Sequence, residues 1–263
     1  MNASRMSIAI EPMAVTIRPI RLSFVILLFA ATAAPIFVGV NYLIPLVQAR
    51  GHSFLASYLI CFYPTFVIML ILSVVLYRRE GNPVSWRAFR TRYRLHALRR
   101  SDWLWVLGSL VVSFAAAAIL SPTAMWLAHF PLFRPPDHLP AEMNPFKAPI
   151  PGQFMATDVH GQWGYAAAYL AGWFFNIFGE EFLWVGYILP RQEATYGRAA
   201  WLVHGPLWTA WHVYWRWLYL TLLPVFLGLP FVVQRTKNTT VSMVVHGFGN
   251  LIPLGILIYQ IAR

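Results

Sequence analysis

The chain has 263 residues and a net charge of +11, yet only 11% of it is charged and 59% is hydrophobic. Soluble domains average about 25% charged residues, so a soluble globular protein is excluded and an all-α, polytopic transmembrane helix bundle is implied. The single cysteine, Cys61, excludes an intrachain disulfide and a thiolate-based zinc site.

Residues 1–21 are mixed, with Arg5, Arg18 and Arg21 and no long apolar run, and read as an N-terminal cytoplasmic segment. From 22 to 263 the chain reads as one transmembrane domain of about seven spans, each near the length a crossing helix needs. The first is 22–47. Arg18 and Arg21 ahead of it look like the start of a signal peptide, but the apolar run continues past the length of a cleaved segment. The second, 54–77, contains Pro64, where a kink is expected. Residues 78–102 form a polar loop with eight arginines. An anionic-lipid or nucleic-acid patch would have that composition, but topology alone accounts for it. The third span is 103–128. The connection 129–162 is rich in proline, has both signs of charge and no periodicity, and is expected to be an irregular surface loop. The fourth and fifth spans are 163–190 and 199–214. The sixth, 218–233, is interrupted by Pro224, Gly228 and Pro230 and is expected to be broken or re-entrant. The seventh is 241–262.

With the N-terminus inside, fifteen of the twenty basic residues fall on the inner side and five on the outer, following the positive-inside rule. Eighteen of the twenty are arginine, which suggests a GC-rich bacterial genome and hence the inner membrane of a bacterium. The expected surroundings are a lipid bilayer and no nucleic acid.

Within this apolar frame the run Gly179-Glu180-Glu181-Phe182 stands out. A charged residue at mid-membrane costs about 2.5–3.5 kcal/mol on insertion scales, so intramembrane acids are functional candidates. Adjacent residues project about 100° apart on a helix, so one carboxylate can face a cavity and the other a neighbouring helix. Asn176 lies one turn before Glu180 and can hydrogen-bond it. His204, Trp208 and His212 form an i, i+4, i+8 row on the fifth span, and His246 and Asn250 an i, i+4 pair on the seventh. At equal rise per residue these groups reach similar depths, and a cavity open to the inner face could reach all of them.

The set suits hydrolysis of an amide. A carboxylate in a dry pocket can act as general base on water, an imidazole can share that proton, and a His and Asn from another helix can hold a developing oxyanion. Each member also has a plainer reading. A lone intramembrane histidine is most often a packing or hydrogen-bonding residue, Trp208 is one of twelve tryptophans, His204 can merely cap its helix, and a Glu pair can clamp two helices together. The combination is more specific than its parts.

Glu180-Glu181, then Trp208 four residues before His212, then His246 four residues before Asn250 resemble the three motifs of the CAAX-processing and bacteriocin-processing family of intramembrane proteases. In that family the order is Glu-Glu-x-x-x-Arg, Phe-x-x-x-His and His-x-x-x-Asn. The likeness covers roughly 160–263. It implies that Glu180 activates water with help from His212, that His246 and Asn250 stabilise the oxyanion, and that Glu181 belongs to the catalytic set. Trp208 replaces the usual Phe and, with His204, is expected to contact substrate. Val185 stands where the motif has arginine, so Glu181 lacks its i, i+4 partner and is expected to be protonated or to pair with an arginine from another segment.

The expected function is therefore an intramembrane endopeptidase that cleaves a membrane-bound protein or peptide without a cofactor. Two histidines and a glutamate could instead hold zinc, although the His-Glu-x-x-His helix is absent. Two further classes compete. A proton-coupled transporter predicts carboxylates on several helices, and this chain has one pair. A non-catalytic membrane adaptor or immunity protein on the same scaffold would be consistent with Val185.

Overall fold

The computed structural model describes residues 17–263; Arg5 and the rest of 1–16 lie outside the described residues. Ten helices are referred to below. They are α1 (Leu22–Gln48), α2 (Phe54–Arg79), α3 (Trp86–Arg92), α4 (Arg100–Leu120), α5 (Pro122–Ala128), α6 (Trp163–Glu180), α7 (Leu189–Tyr196), α8 (Ala200–Trp211), α9 (Tyr219–Thr236) and α10 (Thr239–Ala262). The only sheet among the described residues is an antiparallel pair, β1 (Gln153–Phe154) with β2 (Thr157–Asp158). The molecule is an all-α polytopic membrane bundle.

Among the described residues, five helices are long and apolar enough to cross a membrane: Leu22–Gln48, Phe54–Arg79, Arg100–Leu120, Val213–Thr236 and Thr239–Ala262. The two remaining expected spans are different in kind. The fourth is α6 running into a fully buried π-helical segment, Glu181–Ile188, and then α7. The fifth is α8, whose 12 residues rise only about 18 Å, less than the roughly 30 Å of bilayer hydrocarbon. These elements are the inside of the bundle, and that is where the unusual polar residues sit.

Basic side chains make contacts at two ends of the bundle. At one end Arg92 and Arg191 share Glu80, and Arg94 and Lys237 share Glu193. Arg191 also donates to the carbonyls of Arg18 and Pro19 at 3.1 and 3.4 Å. At the opposite end Arg216 donates to the carbonyls of Leu132 and Arg134, both at 2.6 Å. A helix break falls at Tyr63, directly before Pro64, where the kink was expected.

One expectation fails. The stretch 218–233 is neither broken nor re-entrant: α9 runs unbroken through Pro224 and Pro230. Neighbouring helices and local adjustments accommodate proline in a membrane bundle, and α9 packs against α4, α8 and α10. The connection 129–162 is irregular and largely exposed, as expected, apart from a 3₁₀ turn at Pro131–Phe133 and the β1–β2 pair, but it is anchored to the bundle. Leu139, Met143, Phe154, Met155 and Val159 are buried. Thr157 Oγ1 accepts from the Leu55 N–H at 3.1 Å, and the Gly161 N–H donates to the Ile261 carbonyl at 2.9 Å. Proline stiffens this segment, and its few apolar residues anchor it across the ends of α2 and α10.

Close approach of backbones sets the register of the core. A Cβ on Gly179 would lie 2.5 Å from the Phe66 carbonyl oxygen, and one on Gly205 would lie 2.7 Å from that of Phe226. Glycine at these two points lets α6 meet α2 and α8 meet α9 at backbone distance, on either side of the carboxylates.

Candidate active site

Glu180 is the last residue of α6, and Glu181 opens the π-helical segment. Both are buried, at 1% and 0% exposure, and they point to different neighbours. Glu180 Oε1 accepts from Asn176 Nδ2 at 2.7 Å, and its Oε2 accepts from Trp208 Nε1 at 2.7 Å. Glu181 Oε1 accepts from Ser242 Oγ at 2.9 Å and lies 3.0 Å from His246 Nδ1. The pair thus bridges α8 and α10, one carboxylate to each.

The histidines have defined ring orientations. His212 ends α8, and its Nδ1 lies 3.0 Å from the Trp208 carbonyl. A carbonyl only accepts, so Nδ1 carries the proton and Nε2 is the ring's free atom. His246 has Nδ1 on Glu181, which leaves its Nε2 free. Asn250 Nδ2 donates one proton to the His246 carbonyl at 3.1 Å, leaving the other for a ligand.

These groups meet at a cavity of about 270 Å³. Glu180, His212, His246 and Asn250 line it together with Asn176. Its remaining wall is aromatic and aliphatic, with Tyr58, Tyr63, Tyr169 and Tyr214 prominent. On the basic side the site is sealed by Trp184, Val185, Ile188, Val233 and Val241, all at 0% exposure. The lining comes from the other side: Tyr58 near the start of α2, Tyr214 beyond the end of α8 and Pro253 in the far half of α10. The cavity therefore extends from the carboxylates away from the basic end, whereas the cavity expected from depth opened toward that end.

Glu181, Trp208 and His204 do not line the cavity. Trp208, fully buried, lies behind Glu180 as its donor, and His204 lies one turn further back with Nδ1 2.6 Å from Gln192 Oε1. Among the described residues Glu181 has no arginine partner; Ser242 and His246 occupy it instead. The nearby buried arginine is Arg92 of α3, which donates to the Gly186 carbonyl at 3.0 Å and forks onto Glu80 at 2.7 and 2.8 Å. Sequence reasoning missed Ser242 and Arg92. Ser242 was legible, since it lies one turn before His246 and continues the row His246–Asn250. Arg92 was not, because beside Glu80 its contacts with the site are to backbone carbonyls 94 and 95 positions away.

The comparison with protein families decides the kinship of this site: residues 162–252 match the family model described as type II CAAX prenyl endopeptidase Rce1-like. This chain carries an Rce1-like domain. The match spans α6 to the middle of α10 and so includes every side chain that brings the carboxylates and histidines together. No curated protein and no solved structure matches the chain. The Rce1-like match supports a protease-type function in general and an association with the membrane. Among the described residues no three His, Cys, Asp or Glu side chains are grouped to hold a metal ion.

Proposed function

We propose that this protein is an intramembrane endopeptidase in which Glu180 activates water without a metal. The observation that carries the proposal is the convergence of Glu180, His212, His246 and Asn250, from three separate elements, on one cavity within the Rce1-like domain. Asn176 and Trp208 fix both oxygens of Glu180 through one lone pair each, and the remaining lone pairs can take a proton. Water held between Glu180 and His212 Nε2 attacks the peptide carbonyl carbon as its proton passes to Glu180. The carbonyl oxygen becomes an oxyanion facing the free Asn250 amide proton and His246 Nε2. The imidazole donates from Nε2 when it carries both protons, and Glu181 is the countercharge that form requires. Glu180 then returns the proton to the leaving nitrogen as the C–N bond breaks, giving a carboxylic acid and an amine.

The substrate is a membrane-bound protein or peptide, reached through the cavity on the side away from the basic end. We place that end in the cytoplasm, in a bacterial inner membrane, on the positive-inside rule. Trp208 orients Glu180 from behind, and His204 supports Trp208, their rings meeting edge to face at 5.8 Å. Val185 argues less strongly for a non-catalytic adaptor once Glu181 has Ser242 and His246 as partners. The test compares wild type with Glu180→Ala and His212→Ala in liposomes, on a library of membrane-tethered peptides, with and without chelator. Cleavage lost in both variants and insensitive to chelator supports the proposal. Chelator-sensitive cleavage means a zinc hydrolase, and no cleavage by folded wild type means an adaptor or a transporter.

A further inference from the structure

We propose that Ser242 is a positioning residue for His246, acting through Glu181; the inference rests on the hydrolase reading above. Ser242, His246 and Asn250 form one stripe along α10, at successive turns. The first two converge on the same atom, Glu181 Oε1, at 2.9 and 3.0 Å. Ser242 is 1% exposed and Glu181 0%, so bulk water does not compete for these bonds.

The consequence is orientation. Among the described residues Glu181 Oε2 has no hydrogen-bond partner, so the carboxyl group is held through Oε1 alone. With two donors on that oxygen, exchange of the two oxygens by rotation breaks two hydrogen bonds. Without Ser242 it breaks one. A fixed Oε1 holds the Nδ1–H of His246 and aims Nε2 at the cavity, where it donates to the oxyanion once the ring carries both protons. A carboxylate that holds an imidazole in the right tautomer is worth about 10⁴ in kcat in serine-protease triads. Ser242 stands one bond further out and contributes a fraction of that. Val185, an aliphatic side chain at the place of the motif arginine, offers Glu181 no hydrogen bond, and α10 supplies from Ser242 what the π-helical segment does not.

The test uses full-length protein labelled with ¹⁵N-histidine in micelles, with His246 assigned by difference against His246→Asn. Wild type is expected to show one His246 species protonated at Nδ1. Ser242→Ala is expected to show mixed tautomers, and Ser242→Thr, which keeps the hydroxyl, the wild-type pattern. In the peptide assay Ser242→Ala should lower kcat about ten- to hundredfold, a loss of roughly 1.4–2.8 kcal/mol in transition-state stabilisation, with KM changed less than about twofold. An unchanged His246 pattern in Ser242→Ala overturns the proposal, as does a kcat loss that Ser242→Thr shares in full. If wild type cleaves no peptide, the hydrolase reading falls, and the tautomer comparison still decides whether Ser242 positions His246.

Discussion

Alanine at Gly179 should damage both fold and site, whereas alanine at Gly228 should harm neither. A Cβ at Gly179 would lie 2.5 Å from the Phe66 carbonyl oxygen, with Met69 Cβ at 3.4 Å. The oxygen belongs to helix backbone and cannot swing away, so α6 and α2 must separate by about 0.9 Å to reach an ordinary contact. Overpacking of this kind costs about 1–3 kcal/mol, and the better helix propensity of alanine returns at most about 1 kcal/mol. The net expectation is a loss of about 1–2 kcal/mol, read as a fall of several degrees in unfolding temperature. Because Glu180 is the next residue, the same displacement moves the carboxylate, and misplacement by 1 Å costs about a hundredfold in rate. Nothing lies within 4 Å of a Cβ at Gly228 in α9, so there alanine should leave stability unchanged or raise it by up to about 1 kcal/mol. Thermal unfolding in detergent, followed by tryptophan fluorescence, and peptide cleavage in liposomes give both readouts. Equal behaviour of the two variants would refute the close approach of α6 and α2 as the determinant of Glu180's position.

Arg92→Ala removes a guanidinium that is 1% exposed and forks onto Glu80. Glu80 is partly exposed and keeps Arg191 as a partner, so the loss is that of hydrogen bonds to charged groups, about 1.5–3 kcal/mol, and a drop in unfolding temperature at least equal to that of Gly179→Ala is expected. Arg92→Lys should recover only part of it, since an ammonium cannot make the bidentate contact; full recovery in the melt would argue against the fork. Val185→Arg, which restores the family motif, is expected to destabilise the protein and to leave cleavage no higher than wild type, because the site is 0% exposed and Glu181 is already engaged by Ser242 and His246. A cleavage rate above wild type would show that the arginine is missed. Thr157→Val deletes the acceptor for the Leu55 N–H and should cost about 1–3 kcal/mol in the melt; no change would mean that the 129–162 segment is not anchored there.

The sequence by itself determined the membrane bundle and the candidate chemistry. Long apolar runs cannot be soluble, and acids inside them are too costly to be incidental, so Glu180 and Glu181 were legible from composition and spacing alone. The i, i+4 rule likewise placed Asn176 on Glu180, and the two bond at 2.7 Å. Periodicity failed where contacts are non-local. The 129–162 segment is the irregular loop that the sequence suggests, but its anchors, Leu55 and Ile261, lie far away in the chain and were not legible. Proline in 218–233 reads as a break because propensity takes no account of the helices that support α9. Only the tertiary structure decided which carboxylate faces the cavity and which faces α10, since adjacent residues differ only in projection. Only it showed that Trp208 serves Glu180 from behind, and that the partner Glu181 lacks at Val185 comes from α10. A hydrogen bond between helices depends on packing that no local sequence pattern encodes.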